Sequence, residues 1–136
     1  MATRRRAREC ALQMMFQLDA SGLTPRQTVT LYKESFAEGA LPDEFSIALF
    51  LGITEDLSAM DSVISNSSDH WRLDRMSCVD RNILRMGVYE ILSSEEIPPR
   101  VAINEAVELA KRYGTAESPS FVNGILDRVA RDKAKL

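Results

Sequence analysis

Arg4, Arg5, Arg6 and Arg8 set four guanidiniums within five positions of one another, and they are the most chemically directed feature of the chain. The planar fork of arginine contacts phosphates through paired hydrogen bonds and stacks on unpaired bases, so nucleic acid is the partner this pattern suits. The cluster opens a helix, where cations oppose the macrodipole, and an arriving anion relieves that mildly unfavourable placement. A plain solvated basic face is the alternative reading. Arg6, Gln13 and Gln17 project along one polar stripe at helical spacing, which is either a track for a nucleic-acid strand or a solvent face.

A second feature is the segment GTAESPSFVNG, from Gly114 to Gly124. Phe121 falls in the first turn of a helix whose free N–H groups, with Ser118 and Ser120, can accept phosphate while the ring stacks a base. A core Phe behind a Ser-Pro cap fits the same residues. Gly124 inside a helix costs about 1 kcal/mol relative to Ala, which points to close approach by another helix or backbone. Asp80 and Glu90 both fall within the apolar arc of their helix, and buried carboxylates need partners. Asp80 either reaches back to Ser77 or offers its charge to another protein, while Glu90 suits an arginine inside the bundle.

Catalytic chemistry has no visible seat. His70 is the one histidine, and no Ser, Cys or acid is placed by sequence to form a triad with it. No glycines cluster as in Walker or Rossmann phosphate loops. Cys10 and Cys78 stand far apart without Cys or His at metal-ligand spacing, so no metal and no cofactor is expected, and reduced, partly buried thiols are. There is no run of about 18 apolar residues and no signal-peptide pattern, so a cytoplasmic protein with no membrane contact is expected.

The net charge of −3 argues against a polyanion only until its distribution is considered. Residues 1–33 carry six bases and two acids, residues 34–69 carry eight acids and no base, and residues 70–136 carry eleven bases and ten acids. The chain is therefore polarised, with its basic end at the arginine cluster.

These residues must be positioned by helices, since apolar residues recur at helical spacing almost throughout and hairpin signals are missing. With 136 residues, one domain spanning 1–136 is expected. The first helix runs from Thr3, as N-cap, to about Asp19, with Ala7, Cys10, Ala11, Met14 and Leu18 as its apolar stripe, and Gly22 marks a break. Pro25 opens a second helix to about Glu38, and Pro42 opens a third to about Asn66, whose Glu55, Asp56 and Asp61 should face water. A brief helix is expected near Trp71 to Met76. Ser77 with Asp80 resembles a capping box opening a helix from Cys78 to about Ser93, with Ile83, Met86, Gly87 and Ile91 inward. Pro98 and Pro99 open the next helix, which Gly114 caps, and Ser118 with Pro119 opens the last.

RRRARECALQMMFQLD at 4–19, VDRNILRMGVYEIL at 79–92, IPPRVAINEAVELAKRYG at 97–114 and ESPSFVNGILDRVA at 117–130 together resemble the bacterial antitermination factor NusB family. The resemblance implies an all-α fold of about seven helices in two packed three-helix bundle subdomains. It implies a non-catalytic factor that binds single-stranded boxA RNA of ribosomal RNA transcripts together with the small-ribosomal-subunit protein NusE. The pair joins the RNA polymerase elongation complex, and some members form homodimers. By position, Arg4, Arg5, Arg6 and Arg8 are implied to contact RNA, as are Phe121 and the neighbouring Glu117. Asp80 and Phe16 match positions facing the protein partner, where Phe16 lacks the hydroxyl of the family's frequent Tyr. Two other classes compete: the RNA-binding front domain of a ribosomal RNA cytosine methyltransferase, and a protein-only helical module using the acidic middle of the chain.

Overall fold

The structure is a computed structural model and describes residues 4–35, 44–68, 75–93 and 96–134. Seven helices are present among them: α1 Arg4–Ser21, α2 Pro25–Ser35, α3 Glu44–Glu55, α4 Leu57–Ser67, α5 Cys78–Ser93, α6 Pro99–Tyr113 and α7 Ser118–Ala134. No strand occurs among the described residues. The chain divides into two compact units, Met1–Glu55 holding α1 to α3 and Asp56–Leu136 holding α4 to α7. The seven helices of the expected all-α fold are thus divided three and four between the units.

In the first unit, α1 is built from strong helix formers and packs on both α2 and α3. Ala7, Ala11, Leu12, Met14 and Met15 are buried on it, with Phe50 and Ile53 of α3. The helix ends at Gly22, whose φ of 72° is easily reached only without a Cβ. A reciprocal capping box opens α2, with Gln27 N donating to Thr24 Oγ1 at 3.1 Å and Thr24 N donating to Gln27 Oε1 at 2.9 Å. Thr24-Pro-Arg-Gln27 is legible as such a box, although Pro25 alone had suggested the start. Buried Ser46 donates to Ala7 O at 3.0 Å and fixes α3 against α1. Thr3 and the stretch from Glu38 to Pro42 lie outside the described residues.

The long third helix expected from Pro42 to Asn66 is two helices. Asp56 interrupts it with non-helical φ −143° and ψ 66°, and its carboxylate accepts from Ala59 N at 3.3 Å as the N-cap of α4. The apolar rhythm continues across this break, which is why periodicity alone did not reveal it. Most of the brief helix expected at Trp71 to Met76, with His70 beside it, lies outside the described residues.

In the second unit, α5 packs on α4, α6 and α7 and buries Ile83, Leu84, Met86, Val88 and Ile91. Each fully buried aliphatic side chain of this kind contributes about 1.5 to 3 kcal/mol, so the apolar seam dominates the stability of the unit. Gly87 admits the Leu126 side chain of α7, because a Cβ there would lie 2.5 Å from Leu126 Cδ1. Close approach had been expected at Gly124 instead. That residue is exposed, and a Cβ added to it would meet nothing within 4 Å.

Arg85 grips Asp61 of α4 with two bonds, Nε to Oδ1 at 2.7 Å and Nη2 to Oδ2 at 2.9 Å. Its Nη1 donates to buried Asn82 Oδ1 at 3.0 Å, and Asn82 Nδ2 contacts Cys78 Sγ at 3.3 Å. Asp61 thus serves the bundle instead of facing water. Lys133 Nζ, on the last turn of α7, donates to Ile91 O near the end of α5.

Candidate nucleic-acid and partner interface

Arg4, Arg5 and Arg6 are exposed on the first turn of α1, which carries no acid in that turn. Arg4 Cζ lies 4.1 Å from the centroid of the Phe45 ring on α3. Arg8 departs from the expected cluster, being only 4% exposed. The reason is helical spacing: Arg8 shares its stripe with buried Ala11, Leu12 and Met15, three, four and seven positions on. Its guanidinium is therefore not part of the solvent-facing basic group.

The polar stripe of Arg6, Gln13 and Gln17 is also altered. Gln13 Oε1 accepts from the buried Tyr32 hydroxyl at 2.6 Å, so its carboxamide ties α1 to α2 instead of standing free along the surface. Phe16 is half-buried on α1.

In the second unit, residues far apart in sequence come together. Arg75, Met76, Ser77 and Asp80, leading into α5, line one recess of about 120 Å³ with Thr115, Glu117, Ser118 and Phe121, leading into α7. Asp80 and the Glu117–Phe121 group were read as belonging to different partners, and here they share a wall.

Only half of the expected capping box forms at its floor. Ser77 Oγ accepts from Asp80 N at 3.0 Å, but Asp80 Oδ1 is buried and has no hydrogen-bond partner among the described residues. A buried acceptor left this way costs about 1 to 3 kcal/mol of desolvation, so the site favours a donor delivered from outside. With Asp80 and Glu117 as acids against one exposed Arg75, the recess suits a cation or an N–H edge better than a phosphate.

Ser118 is turned inward and only 1% exposed. Its Oγ accepts from Thr115 N at 3.0 Å, and its own N–H donates to Thr115 O at 3.1 Å. Neither Ser118 group is thus presented to a ligand, and Pro119 has no N–H to present. Gly114 makes this fold-back possible, because a Cβ there would sit 2.6 Å from Ser118 Cβ and 2.8 Å from Ala110 O. Its backbone is extended, φ −96° and ψ −164°, so crowding and not a left-handed turn requires glycine. Phe121 is half-buried at the rim and Glu117 is exposed beside it.

Glu90 is buried, as its place on the apolar arc suggested. Cys10 is half-buried and Cys78 exposed, both as free thiols. Among the described residues no group of three or more His, Cys, Asp or Glu could hold a metal ion. No described helix is long and apolar enough to cross a membrane. Sequence reasoning missed Phe45 beneath Arg4 and Arg75 beside Asp80. Only the aromatic at the head of the third helix was a signal for the first, and none existed for the second.

The model of the NusB family matches residues 5–131. A relative from Sorangium cellulosum, named transcription antitermination protein NusB, is 46% identical over 140 residues, covering 100% of this chain and 97% of the relative. Among solved structures, T. maritima NusB aligns with a TM-score of 0.82 at 39% identity, covering 99% of each chain. Another, of antitermination factors NusB and NusE in complex with double-stranded RNA, aligns with a TM-score of 0.78 at 28% identity, covering 95% of this chain and 96% of that one.

Proposed function

This chain belongs to the NusB family, and from that premise we propose that it is a transcription antitermination factor that binds boxA RNA of ribosomal RNA transcripts together with NusE. It performs no covalent chemistry. Its work is to hold RNA and a ribosomal protein at once and to bring both to the RNA polymerase elongation complex in the cytoplasm.

The observation that carries the RNA half is the exposed first turn of α1, where Arg4, Arg5 and Arg6 stand with no acid in the same turn. Guanidiniums so placed replace condensed counterions along a strand, and this term supplies most of the sequence-independent affinity for a polyanion. Phe121 and Glu117 add a second kind of contact. A half-buried ring stacks a base, and a neighbouring carboxylate accepts from base amino groups while repelling phosphate, so this pair reads bases and leaves the backbone to the arginines.

The partner half falls to the recess around Asp80. Its unpaired carboxylate oxygen favours a basic or N–H group, which a basic ribosomal protein such as NusE supplies. Phe16 is the candidate second contact, apolar instead of hydrogen-bonding.

Gel shift with a single-stranded boxA RNA, a scrambled strand and a duplex, each with and without NusE, tests this reading. Retardation of the boxA strand that tightens with NusE is the expected result. Equal retardation of all three RNAs would remove the boxA assignment, and no retardation in any lane would leave a protein-only helical module. The name carried by the nearly full-length Sorangium relative favours the adaptor over the front domain of an RNA methyltransferase.

A further inference from the structure

The contact between Arg4 and Phe45 joins the first turn of α1 to the first turn of α3, and nothing in the sequence resemblance assigns Phe45 a role. Arg4 Cζ stands 4.1 Å from the centroid of the ring, well inside the roughly 6 Å within which a cation is attracted to an aromatic face. The ring is held in place from within. Phe45 is half-buried, and the next residue, Ser46, is 1% exposed and donates to Ala7 O at 3.0 Å. That buried bond fixes the head of α3 one helical turn from Arg4, so the platform beneath the guanidinium belongs to the packed unit.

Arg4 itself stays exposed. Its guanidinium carbon lies over the ring while the residue as a whole remains open to solvent. A long exposed side chain normally loses considerable rotamer freedom when it engages a ligand, and a group already seated on a platform loses less.

We propose that Phe45 is a positioning residue for RNA capture, holding the Arg4 guanidinium so that its free side receives an unpaired base. The inference rests on the RNA-binding reading above. It adds an aromatic from α3 to the arginine surface of α1. Guanidinium planes and aromatic rings both stack on splayed bases of single strands, which makes a layered arrangement of ring, guanidinium and base chemically reasonable.

The test is a double-mutant cycle on the full chain, using fluorescence anisotropy of a labelled single-stranded boxA oligonucleotide with Phe45→Leu, Phe45→Tyr, Arg4→Ala and the Phe45→Leu/Arg4→Ala pair. Phe45→Leu should weaken binding by about three- to tenfold, the range expected for a partly desolvated cation–π contact. Phe45→Tyr keeps the ring face and should stay within about twofold of the parent. In the Arg4→Ala background the Leu substitution should cause no further loss, because the platform then has nothing to hold. The NMR order parameter of Arg4 Nε in the RNA-free protein should also fall in Phe45→Leu and be retained in Phe45→Tyr, a readout independent of any change in melting temperature. Independent multiplication of the two losses, or parental affinity in Phe45→Leu, overturns the inference while leaving RNA binding intact. Failure of the parent protein to bind the strand removes the RNA reading instead.

Discussion

The basic first turn of α1 and the recess at the heads of α5 and α7 present charge in opposite ways. On α1, Arg4, Arg5 and Arg6 are exposed. In the recess, a carboxylate oxygen of Asp80 is taken out of water and has no hydrogen-bond partner among the described residues. Exposed charge acts over roughly a Debye length, adds up nearly residue by residue, and weakens with salt. A desolvated acceptor acts only at contact and demands a donor of the right shape. One chain thus carries a long-range, sequence-blind attraction and a short-range, stereospecific one.

The largest effect should come from Arg4→Ala/Arg5→Ala/Arg6→Ala. Affinity for boxA RNA should fall by about two orders of magnitude at low salt, and the log-log salt slope should flatten by about 2, at roughly 0.7 per phosphate released. A salt titration that retained the parental slope would abolish the distinction between the two regions.

Asp61→Ala sharpens the comparison from the other side, since Asp61 is a carboxylate of the second unit that is fully engaged. Removing it leaves the Arg85 guanidinium, 10% exposed, without its bidentate partner. Discounted for the 25% exposure of Asp61, the loss should be about 2 kcal/mol, measured by urea unfolding. A change below about 0.5 kcal/mol would mean that the pair is merely decorative.

Phe121→Ala comes next. Loss of one stacked base should weaken RNA binding by about tenfold while leaving the salt slope unchanged. A slope that moved with Phe121 would assign the ring to the electrostatic region after all.

The smallest change in stability belongs to Asp80→Ala. Losing a favourable acid near a helix N-terminus costs about 0.3 to 1 kcal/mol, and relieving an unsatisfied buried acceptor returns about 1 to 3. Folding should therefore hold or improve slightly, whereas NusE affinity by calorimetry should drop by about fivefold, as for loss of a charged hydrogen bond. Unaltered NusE binding would leave the recess without its partner.

What the sequence disclosed follows from how local each signal is. The starts of α5, α6 and α7 were legible because Ser, Pro and Gly punctuate them, and the burial of Ile83, Met86 and Ile91 because periodicity registers one face at a time. Arg8 was assigned to the exposed cluster, although its spacing from Ala11 and Met15 sets it on the buried stripe. The break at Asp56 was not legible, because one capping side chain interrupts an apolar rhythm that runs on regardless. Nor was the recess, whose walls are some 40 positions apart in the chain and meet only through packing. Ser118 looked like a cap from its type, but its hydroxyl turns back to accept from Thr115 N, where Gly114 leaves room for it.

Gly87 carries a consequence beyond its own packing. It sits seven residues after Asp80, about 10 Å along the helix, and its missing side chain admits Leu126, five residues after Phe121. The gap between the acid and the ring is therefore gauged from the interior, as the width of a jaw is set by its joint and not by its teeth. A methyl group added two turns below would have to displace the Leu126 side chain, so that spacing is set by interior packing as well as by the residues at the mouth.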